Sequence, residues 1–261
     1  MNIVIPLGHG SRWQDNELRY CLRGIQQHVT GWEKIVLVGA MPNWLQPNDR
    51  LLHLPMDDKP GARVKEHNIH RKIMAAIQSG YAGDSFLFMN DDHFILHDIA
   101  IANFPTHYKG LLIDSIAKCD RHNMYRVTLT NTLHYCAKKG IKTVLDYDTH
   151  APIIYHSATY LQHVGSIVKW PAYGYGIKSM YGNLSNAGGN HYPDLKLPYV
   201  NDLAEIVADV HGRLYFSIGD RALGPALEAF MKQTYPTPSI FEHEQSIDSS
   251  CRVHGAGMAA N

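Results

Sequence analysis

Three short runs in the first third of the chain are apolar at nearly every position: IVIPLG (3–8), KIVLVGA (34–40) and FLFM (86–89). A strand with one face in water alternates apolar and polar residues, so unbroken runs require a sheet covered on both faces. The segments between them supply the covering. ELRYCLRGIQQHV (17–29) sets Leu18, Cys21, Leu22 and Ile25 at helical spacing, with Asp15 or Asn16 as cap. LLHLP (51–55) reads as a weaker third strand, and KEHNIHRKIMAAIQS (65–79) as an amphipathic helix closed by Gly80. Strand–helix–strand alternation with short loops implies right-handed crossovers and parallel pairing. The expectation is an α/β fold: one Rossmann-like domain with a mostly parallel central sheet.

Past residue 97 the rhythm changes. RVTLTNTLHYCAKKG (126–140) predicts a helix stopped by Gly140, YDTHAPIIY (147–155) a strand, and ATYLQHVGSIV (158–168) a helix. Residues 171–202 are rich in Gly, Tyr, Asn and Pro and read as a long loop region, the kind that carries function. ALGPALEAFMKQTY (222–235) predicts a last helix. The division that follows is one domain over 1–245, with a nucleotide-binding half (1–97) and an acceptor and donor-sugar half (98–245), and a tail over 246–261.

Lys plus Arg and Asp plus Glu number 24 each, so no overall basic field is present to hold nucleic acid by its phosphates. Cys21, Cys119, Cys136 and Cys251 show no CxxC spacing, which fits a reducing compartment. No apolar run approaches the roughly 18 residues of a membrane span. A soluble, cytoplasmic protein is expected.

The chemistry starts at FLFMNDDHFIL (86–96), where Asp91 and Asp92 interrupt an apolar run. Ionised carboxylates are rare in such a run unless something positive pairs with them. One reading is a solvated strand end; the other is a metal site at the carboxyl edge of a sheet, where open α/β folds bind ligands. On a strand the two side chains diverge, but where the backbone turns both can converge. Other constellations are weak: His67-x-x-His70 lacks a cysteine or acidic partner for zinc, Gly8-His9-Gly10-Ser11 is not a dinucleotide fingerprint, and no G-x-S-x-G elbow occurs.

GSRWQDNELRYCLRGI (10–25), followed by WEKIVLVGAMPNWL (32–45), resembles the opening of the Stealth-type sugar-phosphate transferases. Their pattern runs through a DNxELRYSLRSI helix, a W-x-K-I-x-x-V strand, a P-x-W-L turn and an NDD at a strand end. The last falls on Asn90, Asp91 and Asp92, and a later His-x-Pro motif matches His150-Ala-Pro152. The chain departs from that family in being short and in carrying Pro6-Leu7-Gly8-His9 where an acidic motif stands. It also resembles the wider GT-A glycosyltransferases, and in size and style phage-encoded enzymes that decorate DNA or surface polymers. The resemblance implies a domain that binds a nucleoside diphosphate sugar, UDP-sugar foremost, through Mn²⁺ or Mg²⁺. It places Asp92 on the metal and Asn90 or Asp91 on ribose or metal.

Further candidates complete the picture. The nucleotide is expected at the first strand-to-helix turn, with Pro6, Gly8 and Arg12, and beside the second helix, with Asn68, Arg71 and Lys72. Lys178 and Ser179, read as loop residues, are candidates for the diphosphate. As a surface lysine, Lys178 should cost under about 0.5 kcal/mol of stability when removed. Asp148 and His150, on one face of the expected strand, are candidates for the general base, with His191, Asp202 and His211 in reserve. Three functions follow: glycosyl transfer to a glycan, small molecule or hydroxymethylated DNA base; sugar-1-phosphate transfer; or a non-catalytic nucleotide- or carbohydrate-binding module.

Overall fold

The computed structural model describes residues 1–243. Residues 244–261, including the whole expected tail (246–261) and Cys251, lie outside the described residues. The strands that position the site are β1 (Asn2–Leu7), β2 (Ile35–Gly39), β3 (Leu51–Leu54), β4 (Ser85–Phe88), β5 (His93–Ile95), β6 (Ile153–His156) and β7 (Tyr215–Ser217). The helices are α1 (Asn16–His28), α2 (Lys65–Gln78), α3 (Leu112–Lys118), α4 (Tyr125–Lys138), α5 (Ile177–Leu184), α6 (Leu203–Val210) and α7 (Pro225–Thr234). Five strands form the central sheet in the order β3-β2-β1-β4-β6. All its pairings are parallel except that of β4 with β6. The fold is α/β with a mixed, mostly parallel sheet, and β5 pairs antiparallel with β7 beside it.

The two-residue period of a strand explains why the apolar runs are unbroken. Ile3, Ile5, Leu7, Ile35, Leu37 and Leu87 face one side, where α1, β5, β7 and α7 cover them with Leu18, Cys21, Phe94, Phe216 and Phe230. Val4, Val36, Val38, Phe86 and Phe88 face the other, under α2, α4 and α5 through Ile73, Leu129 and Met180. Each of these side chains contributes about 1.5–3 kcal/mol by leaving water, so both layers are held firmly. Among the described residues, no helix is long and apolar enough to cross a membrane.

Two expected elements are corrected. The strand expected over 147–155 begins only at Ile153. Ahead of it the Tyr147 N–H donates to Ser179 Oγ (3.0 Å) and the Asp148 N–H to Asp146 Oδ1 (3.0 Å), while His150 adopts a left-handed φ of 51°. The segment is therefore a turn, and Asp148 and His150 share no strand face. The long loop expected over 171–202 contains α5, whose Ile177, Met180, Tyr181 and Leu184 point to the core at helical spacing. Gly182 disguises this helix; an added Cβ there would stand 2.6 Å from the Tyr147 ring, so the glycine is required by packing. Lys178 and Ser179 are thus buried helical residues. Two smaller differences follow from local chemistry. The helix expected over 158–168 is one turn (Ser157–Tyr160) followed by a wider one (Leu161–Gly165), and the last helix starts at Pro225, whose missing N–H suits a first position. Helices α3 and α6 and strands β5 and β7 had no distinct signal.

Gly39 closes β2 at a φ of 122°, and a Cβ there would overlap the Leu7 carbonyl oxygen. Gly39→Ala should therefore lose about 2–4 kcal/mol, read as a lower urea midpoint, because strain and overlap add.

Candidate active site

Strand order reverses between β1 and β4, and ligands of open α/β sheets bind at the carboxyl edge of that switch point. The chain leaving β4 turns there at once. The His93 N–H donates to the Asn90 carbonyl (3.3 Å), and the Asn90 N–H donates to His93 Nδ1 (3.3 Å). Asp91 and Asp92 fill the middle of this turn. Because β6 runs antiparallel with Ile153 opposite Phe88, the segment entering β6 stands beside the segment leaving β4. That geometry carries Asp148 and His150 to the same edge as Asp92. Helix α5 seals the corner, with Lys178 Nζ donating to the Ala151 carbonyl at 2.6 Å. Lys196 arrives by a bridge to Ser217 of β7, which itself pairs with His93.

These groups enclose a cavity of about 500 Å³. Asn90, Asp92, Asp148, His150, Lys178 and Lys196 line one part of it. The first turn of α2 adds Lys65, Glu66 and Ile69, and the start of α4 adds Asn123, Met124 and Tyr125. The size suits a small organic ligand.

Its electrostatics are unbalanced on one side. Burial pushes both Asp91 and Asp92 up, and each other's charge adds to this for Asp91, as do Glu17 and Asp15. Asp92 Oδ2 accepts from Ser217 Oγ (3.2 Å), while its buried Oδ1 has no hydrogen-bond partner. Lys196, His150 and Lys178 face Asp92 and pull it back toward ionisation. Burial also pushes the Asp148 carboxyl up, but His150, Lys178, Lys109 and the Tyr125 hydroxyl outweigh it and hold it at about 2. Burial lowers Lys178, with Asp148 and Asp92 opposing. Behind them Lys109 and His150 bind the two oxygens of Asp194 at 2.9 and 2.8 Å. An unpartnered buried carboxylate oxygen beside a second raised carboxylate fits a hard cation. Among the described residues no group of three or more His, Cys, Asp and Glu is placed to hold a metal ion, so a cation at this carboxylate pair would take its remaining oxygens from ligand or water.

The other sequence candidates fall outside the cavity lining. Pro6 is buried in β1 opposite Val38, and Gly8 lies at its exposed end beside Asp58. Arg12 is exposed, 3.6 Å from Asp220. Asn68 exchanges hydrogen bonds with the Lys59 backbone (2.9 and 3.0 Å). Lys72 Nζ donates to the Leu7 carbonyl (2.6 Å) and pairs with Asp58 (2.8 Å), tying α2 to the end of β1. Arg71 donates to the Asp57 carbonyl and Ser179 to Asp146. His70 stacks on Trp170 and Tyr160, so the His67–His70 pair belongs to an aromatic cluster. His191, Asp202 and His211 are exposed, and Asp202 caps α6 through the Ala204 N–H.

Glu66, Tyr125, Lys109, Asp194 and Lys196 were not foreseen. The one available signal was for Glu66: a helix following a parallel strand starts at the carboxyl edge of the sheet, so its first turn belongs there.

No protein-family model matches the chain, and no curated protein matches it. Among solved structures it is similar to the galactosyltransferase LgtC in complex with donor and acceptor sugar analogues (TM-score 0.40, 10% identity, 94% of this chain and 99% of that chain). It is similar also to a glycosyltransferase involved in glycosylation of the major capsid of PBCV-1 (TM-score 0.39, 10% identity, 91% and 100%). A third is the apo form of glycosyltransferase GlyE from Streptococcus pneumoniae TIGR4 (TM-score 0.37, 9% identity, 89% and 59%). Likenesses this loose speak to no activity; the architecture rests on strand order and the site on its side chains.

Two outcomes are expected. Lys178→Ala should destabilise the fold by about 1–3 kcal/mol in urea titration, since a buried carbonyl and two carboxylates lose their donor and counter-charge. Asp148 titrates below its ordinary 3.8, so its contribution is complete above that value and lost as pH falls through about 2. Tyr125→Phe removes one of the groups holding it there and should move its NMR titration upward.

Proposed function

We propose that this chain is a metal-dependent glycosyltransferase that moves a sugar from a nucleoside diphosphate sugar, UDP-sugar foremost, to an acceptor hydroxyl. One observation carries the reading: Asp92, whose buried Oδ1 accepts no hydrogen bond, faces Lys178, His150 and Lys196 across the cavity, with Asp91 buried next to it in the same turn. A divalent cation together with a diphosphate satisfies both sides.

In this reading Asp91 and Asp92 hold Mn²⁺ or Mg²⁺, and the ion when bound neutralises charge on the departing diphosphate. Lys178 has two ammonium protons left beyond its bond to Ala151, and with Lys196 and His150 it stabilises the same charge. Asn90, lining the cavity, offers its amide to ribose or sugar hydroxyls. The nucleotide extends toward Gly8 and Arg12, exposed beyond the end of β1, while Pro6 is buried in that strand. Asn68 fixes the loop at Lys59, Lys72 the end of β1, and Ser179 the turn before β6. The acceptor enters from the side of Asn123, Met124 and Tyr125, where Met124 is exposed. Glycans and small molecules fit this mouth; a hydroxymethylated DNA base is disfavoured by the zero net charge.

The resemblance of DNELRYCLRGI (15–25) to the DNxELRYSLRSI helix keeps sugar-1-phosphate transfer as a second reading. Donor labelled in the phosphate next to the sugar separates them: glycosyl transfer leaves the label in nucleoside diphosphate, phosphosugar transfer carries it to the acceptor. Binding without turnover would point to a non-catalytic module.

Asp92→Ala should abolish turnover without lowering the melting temperature, because it also removes like-charge repulsion and an unpartnered buried oxygen. EDTA should have the same effect on turnover, reversed by Mn²⁺. Activity persisting in the variant, or in EDTA, overturns the reading.

A further inference from the structure

We infer that Glu66 is the catalytic base that takes the acceptor proton, a role resting on the glycosyltransferase reading above. Its position comes from the fold: the first turn of α2 lies at the carboxyl edge of the sheet, and Glu66 lines the same cavity as Asp92, Asp148 and Lys178. Its place is built. Gly174, at a φ of 64°, makes room for it, since a Cβ there would stand 2.8 Å from Glu66 Cβ. That loop is pinned by Asn131 Nδ2 donating to the Ala172 and Gly174 carbonyls (3.1 and 3.0 Å) and by the Tyr173 N–H donating to the Arg63 carbonyl (2.8 Å).

The neighbouring candidates are committed elsewhere. Asp148 accepts from the Tyr125 hydroxyl and is surrounded by His150, Lys178 and Lys109, which strips it of proton affinity. His150 is bonded through Nδ1 to Asp194 and faces Asp92. The Glu66 carboxylate has no protein hydrogen-bond donor among the described residues. Burial and then Asp148 push it up to about 7, with Lys65 and Lys178 opposing. Tyr125 from α4, Tyr173 from the pinned loop, and Asp92, His150 and Lys196 complete the charged and titratable groups around the cavity. A base with that proton affinity works at neutral pH.

In the step, the acceptor O–H bond breaks as its oxygen bonds to the anomeric carbon. The carbon–phosphate oxygen bond breaks with its electron pair leaving on the nucleoside diphosphate. Glu66 becomes neutral and later yields the proton to water. Attack opposite the leaving group inverts the anomeric centre.

The test uses the full chain with Mn²⁺ and UDP-glucose, UDP-galactose or UDP-N-acetylglucosamine, water serving as acceptor. Wild type should release the inverted sugar, with a single-turnover rate that rises through about pH 7. Glu66→Gln should lower that rate about 10²–10⁴-fold, lose the pH limb, and keep donor affinity and melting temperature. Glu66→Asp should retain part of the rate and the limb, and serves if the glutamine variant does not fold. His150→Gln should instead weaken donor binding. Turnover by wild type and Glu66→Gln alike, an unmoved pH limb, or a retained anomer overturns this inference while the functional reading stands. No turnover by wild type with any donor overturns both.

Discussion

The antiparallel pairing of β6 against β4 is the constraint on which the site depends. With Ile153 opposite Phe88, the chain must enter the sheet where it has just left it. Residues 148–152 are therefore brought against 90–92 although nearly sixty positions separate them in sequence. A parallel last strand would have put Asp148 and His150 at the far edge. The antiparallel strand also gives α5 its seat, because Lys178 reaches the backbone of the incoming turn at Ala151.

Charge is then sorted by what each wall can supply. One side, from the start of α1 and the turn after β4, collects Glu17, Asp91 and Asp92, all raised by burial. The facing wall collects Lys178, His150 and Lys196, with Lys109 and Asp194 behind them. Buried like charges oppose folding. Stability in the two apolar layers on either side of the sheet makes that tolerable.

How much of this was legible differs by element. The runs IVIPLG, KIVLVGA and FLFM became β1, β2 and β4 because alternate residues of each serve different core layers, and no other environment accepts both sets. Helices α1 and α2 showed their spacing openly. Helix α5 did not, since Gly176 and Gly182 read as loop residues; Ile177, Met180, Tyr181 and Leu184 carried the helical period all the same. The YDTHAP segment read as a strand because alternation alone cannot register that Asp146 and Ser179 side chains bond its backbone into a turn.

Near the cavity, the sequence singled out Asn90-Asp91-Asp92 by adjacency, and the structure holds the three in one tight turn, with Asn90 and Asp92 lining the cavity. Asp148, His150 and Lys178 were also singled out and line the same cavity, though from a turn and a buried helix and not from a strand and a loop. Only the tertiary structure decided that Asp148 is held ionised by four neighbours from four segments, that Lys178 is a buried helical residue, and that Glu66 stands free in the cavity wall. The physical reason is that hydrophobic periodicity and turn chemistry are local and visible in a window of residues. Proton affinity and counter-charge are set by distances between segments far apart along the chain, which the folded sheet alone fixes.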